Sequence, residues 1–110
     1  MQNIYEGWRK KDGSVIVTVN AVPLESALGI RNHSPTGFEW GYGGSGPAQL
    51  ALAILTHEYG KEIAQDFYQR FKWAYIATLP QEKSWMLKSD QIETIIRRIR
   101  SEEQSRISDE

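Results

Sequence analysis

The chain has 110 residues, 40% hydrophobic and 25% charged, a size and composition that fit one soluble globular domain and exclude a collagen-like or fully disordered chain. With no cysteine and two histidines, it has no material for a disulfide framework, a thiolate nucleophile or a standard zinc site, and no cofactor is called for. Residues 1–100 carry a formal +2 and residues 101–110 a formal −3, which make up the net −1; the body is neither basic enough for a dedicated nucleic-acid binder nor acidic enough for a nucleic-acid mimic.

In chain order, Ile4 to Arg9 reads as a first strand, and Lys10-Lys11-Asp12-Gly13 as a turn. Ser14 to Val22 reads as a second strand with Val15, Val17 and Val19 on one face and Ile16 and Thr18 on the other, so that both faces are expected to be at least partly covered. Pro23 ends it. Leu24 to Ile30 suits a single helical turn, and Phe38 to Tyr42 a short strand. Pro47 to Tyr59 predicts a central helix, apolar nearly all round, with Pro47 at the first position and Gly60 as the stop. Lys61 to Leu79 predicts a second helix whose inward stripe is Ile63/Ala64, Phe67, Phe71, Ala74/Tyr75 and Thr78, ended by Pro80. Trp85 to Leu87 reads as an edge strand and Ser89 as the cap of a last helix. Ile92, Ile95, Ile96 and Ile99 fall at i, i+3, i+4 and i+7 of that helix and so predict one buried stripe. Residues 101–110 read as an acidic, disordered tail. The expected class is α+β: one domain over residues 1–100, a small antiparallel sheet of three to four strands packed by three helices.

Chemistry concentrates in residues 31–47. Gly41 to Gly46 spells G-x-G-x-x-G after an expected strand and before a helix, yet a second helix follows where a dinucleotide fold needs a crossover to a parallel strand. Pro47-Ala48 stands where a phosphate loop needs Lys-Ser/Thr, which excludes an NTPase. No G-x-S-x-G elbow is present, because Pro47 replaces the last glycine around Ser45. What remains is a loop rich in glycine and aromatics. Its candidate binding residues are Arg31, His33, Glu39, Trp40, Tyr42, Gly43, Gly44 and Ser45. The amides of Ala48 and Gln49 complete the set, at a helix start capped by side-chain-free Gly46. Trp73 lies off the inward stripe and, with Arg97 and Arg98, marks a second candidate surface. His57 reads as a C-terminal dipole partner or a partly buried core residue.

The run from Asn32 through Gly37-Phe38-Glu39-Trp40-Gly41-Tyr42-Gly43-Gly44-Ser45-Gly46-Pro47 to Ala53, with Tyr5-Glu6-Gly7 and Tyr68-Gln69-Arg70-Phe71-Lys72, resembles the domain of unknown function 6166 family over roughly residues 4–100. The family's members are short proteins of bacteria, plasmids and phages. The resemblance implies a mobile-element setting and no particular activity. The first expectation is a cytoplasmic, non-enzymatic protein that occupies a protein partner, a host-defence complex of the anti-CRISPR or other anti-defence kind being the class of target. The alternatives are an anion or nucleotide binder, with phosphate on the Ala48 and Gln49 amides, and an enzyme that uses His33. Direct nucleic-acid binding, a membrane and a metal are not expected.

Overall fold

The computed structural model describes residues 2–34 and 37–109, with side chains through Ser105; Pro35, Thr36 and Glu110 of the segments discussed above lie outside the described residues. Four strands, β1 (Ile4–Arg9), β2 (Val15–Val19), β3 (Val22–Pro23) and β4 (Trp85–Lys88), form one antiparallel sheet in the order β3-β2-β1-β4. Three helices follow the α+β expectation: α1 (Ser45–Tyr59), α2 (Lys61–Ala74) and α3 (Ser89–Asp109), with a 3₁₀ turn at Ile76–Thr78.

The sheet differs from the expectation in two places. The stretch from Ser14 to Val22 is not one strand. Asn20 and Ala21 take φ of 51° and 69°, and Val19 faces Val22 across them, a two-residue hairpin of the left-handed kind that matches strand twist. Pro23 sits in the two-residue edge strand that results, where its missing N–H costs no ladder bond. The segment from Phe38 to Tyr42 is not a strand either. Gly41, at φ 90°, donates its amide to the Ile76 carbonyl, and so the chain crosses toward the 3₁₀ turn without pairing. The fourth strand is β4, on the edge where Trp85 to Leu87 was expected. At the end of the Leu24 to Ile30 stretch the Ala27 carbonyl takes the amides of Ile30 and Arg31, a single turn that is not continued into a helix.

Helix α1 is the centre of the core. Residues 46–55 are buried without a break, which accounts for a sequence apolar on every side. Gly60, at φ 92°, ends it and donates its amide to the Thr56 carbonyl. Helix α2 stops at Ala74 because Tyr75 leaves helical geometry, and Ile76 is thereby turned into the core. Its buried stripe is Ala64, Phe67/Tyr68 and Phe71/Lys72; Ile63, Ala74 and Thr78 are exposed, contrary to the expected stripe. On α3, Ile92, Ile96 and Ile99 are buried and Ile95 packs against them, as the spacing predicts. Gln91 reaches back to accept the Lys88 amide at 2.9 Å, one half of a capping box. The helix continues through residues 101–109, where the composition had suggested a disordered tail.

Candidate functional site

The glycine segment divides at Gly41. On its first side everything is braced. Glu39 forms a two-point ion pair with Arg9, at 2.6 and 3.0 Å, and the guanidinium lies 4.8 Å from the Trp40 ring centre. That pairing holds the Glu39 carboxyl below its usual range. Trp40 has no exposed surface, donates its indole N–H to the Lys83 carbonyl at 3.2 Å and meets Trp85 edge-on at 5.7 Å. It is a core residue, and the expectation that Trp40 is a binding residue of the loop is corrected.

On the second side the loop faces out. Tyr42 is 43% exposed and Trp73, from α2, is 61% exposed. Each lies against one of two adjacent glycines. A Cβ on Gly43 would fall 2.1 Å from the tip of the Trp73 ring, and one on Gly44 would fall 2.5 Å from the Tyr42 ring. Side-chain-free backbone is therefore what lets both rings lie down against the loop. Neither glycine has a positive φ; in this segment that conformation is taken by Gly37 and Gly41. Lys72, itself buried, donates to the Gly43 carbonyl at 3.3 Å with its ammonium 4.4 Å from the Trp73 ring centre. The loop and the Trp73 surface, read from the sequence as two candidates, are one.

The helix start does not offer the expected amides. The N-cap is Gly44, not Gly46, and no side chain caps it. The Ala48 amide donates to the Gly44 carbonyl at 3.1 Å, and Gln49 is the fifth helical residue, already within the i→i−4 ladder. Ser45 is exposed as the first residue of α1. Gln49 has a different role. Its fully buried side-chain oxygen accepts the amides of His33 and Ser34, at 2.7 and 3.2 Å, and its side-chain nitrogen donates to the Ser26 carbonyl at 2.6 Å. One glutamine thus clamps the loop before the glycine segment to the central helix.

His33 is tied to α2 through its ring. Its Nε2 is 2.7 Å from the Tyr68 hydroxyl, and burial, then the charges of Arg31 and Lys72, push its pKa below the ordinary value. Arg31 is exposed. Arg97 and Arg98 are exposed on α3, Arg97 paired with Glu93 one turn before it; the structure does not bring them into the Tyr42–Trp73 surface. Pairing across the groove beside Trp73 falls instead to Arg70 and Glu103.

A second polar centre was missed by the sequence reading. The side-chain oxygen Oε1 of Glu58 receives the Tyr5 hydroxyl at 2.8 Å, the Asn3 side-chain amide at 3.0 Å and the Ser89 hydroxyl at 3.1 Å. Ser89 therefore spends its hydroxyl across the structure, where a cap for α3 was expected; it also accepts the Asn3 amide at 2.8 Å. The Tyr5 oxygen lies 3.1 Å from Nδ1 of His57. Burial, then the bond to Glu58 and its charge, raise the Tyr5 pKa. Only a polar tip on an otherwise inward strand position, and a glutamate beside the one histidine of an apolar helix, hinted at this group.

Among the described residues no helix is long and apolar enough to cross a membrane. A family model described as a family of unknown function (DUF6166) matches residues 5–98, so the chain belongs to that family. Comparison with curated proteins and with solved structures gives no match.

Proposed function

We propose that the protein is a non-enzymatic binding module that occupies a protein partner through the surface formed by Tyr42, Gly43 and Trp73. The observation that carries this reading is Trp73: an indole 61% exposed, yet fixed in place by Gly43 beneath its edge and Lys72 over its ring. Tryptophan and tyrosine held rigid before binding lose little conformational freedom when a partner covers them, which is the usual condition of an interface anchor. The nucleotide reading is less well supported, since the Ala48 amide is bonded within the helix and Trp40 is buried. The enzyme reading rests on a histidine whose Nε2 is engaged by Tyr68.

A cytoplasmic host-defence component is the partner class we favour, on the mobile-element setting that the family resemblance implies. Affinity capture from a bacterial lysate tests the reading. Wild type should retain a defined protein in stoichiometric amount. Trp73→Ala should lose it while melting as wild type does. Gly43→Val should lose it too, because its side chain displaces the indole. Retention of the same protein by both variants would refute the surface as the binding site.

A further inference from the structure

A cleft lies away from this surface, between β3, the 24–30 segment and α1, with a volume of about 780 Å³. That is within the range of small-molecule sites. Val19, Val22, Leu24, Ile30 and Ala53 give it apolar walls, and His57 and Glu25 stand among them. Its outer wall is preformed. Leu24 donates its amide to Val17, the Ala27 carbonyl takes the amides of Ile30 and Arg31, and Gln49 holds the Ser26 carbonyl from the core.

We propose that this cleft binds a small apolar molecule that ends in a hydrogen-bond donor, an amine or a hydroxyl. The argument runs through the Glu58–Tyr5–His57 chain. A carboxylate only accepts, and the Tyr5 hydroxyl has one proton, which the 2.8 Å contact assigns to Glu58 over the Ile54 carbonyl at 3.5 Å. The 3.1 Å contact between the Tyr5 oxygen and Nδ1 of His57 then requires that Nδ1 carry the imidazole proton. Nε2, on the far side of the ring from Tyr5, is left as a lone-pair acceptor on a side chain that is exposed and lines the cleft. Glu25, a carboxylate among the lining residues, also accepts only. The hydroxyls of Ser26 and Thr56, which also line the cleft, can donate or accept and so do not discriminate, whereas a ligand that brings a negative charge meets the Glu25 carboxylate and the His57 lone pair. One that brings an ammonium or a hydroxyl on an apolar body satisfies His57 and lays the body on Val19, Leu24 and Ile30. This site shares no residue with the Tyr42–Trp73 surface and does not depend on it.

The test uses the full-length protein labelled with ¹⁵N, and three probes of similar body: 2-phenylethylamine, 2-phenylethanol and 3-phenylpropionate. Long-range ¹H–¹⁵N correlation should show His57 with its proton on Nδ1. Titration should shift the His57 ring signals saturably with the amine and the alcohol, and at least tenfold more weakly with the carboxylate. Tyr5→Phe should release the tautomer and erase that preference. If that buried change unfolds the chain, His57→Phe, at an exposed position, should erase the preference as read from the backbone amide signals of Val19, Leu24 and Ile30. A proton on Nε2, equal or stronger binding of the carboxylate, or no response of His57 to any of the three probes would each overturn the proposal.

Discussion

Trp40 and Trp73 stand on either side of one glycine loop, and they have opposite fates. Trp40 is enclosed, with its indole N–H bonded, a guanidinium near its face and Trp85 at its edge. Trp73 lies against Gly43 with most of its surface in solvent. The difference lies in what each backbone position faces. Residues 39–41 cross the end of the sheet, where Arg9 and the 3₁₀ turn already supply hydrogen-bond partners, while residues 42–44 pass over the outer side of α2. A run of glycines is thus not one functional unit. Its first part holds the core closed, and its second part makes room for two surface rings.

The largest effect should come from the buried member. Trp40→Ala should cost about 3–5 kcal/mol, read by chemical denaturation, and the fraction that still folds should keep the partner. A loss below about 1 kcal/mol would show that the two tryptophans do not differ as described. Next is the clamp that positions the loop. Gln49→Leu leaves the amides of His33 and Ser34 and the Ser26 carbonyl without their partner and should cost at least about 1–3 kcal/mol, with faster hydrogen exchange confined to residues 24–34.

The contrast can be sharpened by pH. His33 has a folded pKa below the ordinary 6.5 of the unfolded chain, so the unfolded state takes up the proton first and stability falls as pH drops from about 6.5 toward the lower folded value. Glu39, also lowered, acts in a separate window. Its contribution is present above the ordinary carboxylate value and is lost as pH falls through the folded one. Melting temperature should therefore decline in two stages on acidification, and His33→Gln should remove only the upper one. A single stage unchanged by that substitution would contradict the placement of His33. The smallest effect belongs to Trp73→Ala, whose exposed ring should change stability by no more than about 0.5 kcal/mol.

Much of this arrangement was legible in the sequence. The strands at Ile4–Arg9 and Trp85–Lys88 were, and so were the all-apolar central helix and the isoleucine stripe of α3, because each is a local pattern of one period. Trp40 was not. Flanked by Glu39 and a train of glycines it looks solvent-facing, and only the distant Arg9, Lys83 and Trp85 reveal that its surroundings are complete. The start of α1 was misplaced by two residues because Pro47 suits the first helical turn as well as its first position. The packing of Trp73 on Gly43, and the union of Tyr5 with Glu58 and His57, join residues far apart in the chain, and no spacing rule records such meetings. Gln49 did leave a signal: one amide side chain within a run of buried alanine, leucine and isoleucine has to be hydrogen-bonded.

The central claim is that Trp73 is an anchor prepared for a partner and not a support of the fold. Calorimetric titration of the captured partner against wild type and Trp73→Ala, at concentrations corrected for the folded fraction, tests it most directly. The account predicts equal melting temperatures and a loss of at least about 2 kcal/mol in binding free energy, the scale of an interface hot spot. Equal affinities, or an affinity loss that merely follows a fall in melting temperature, would contradict it.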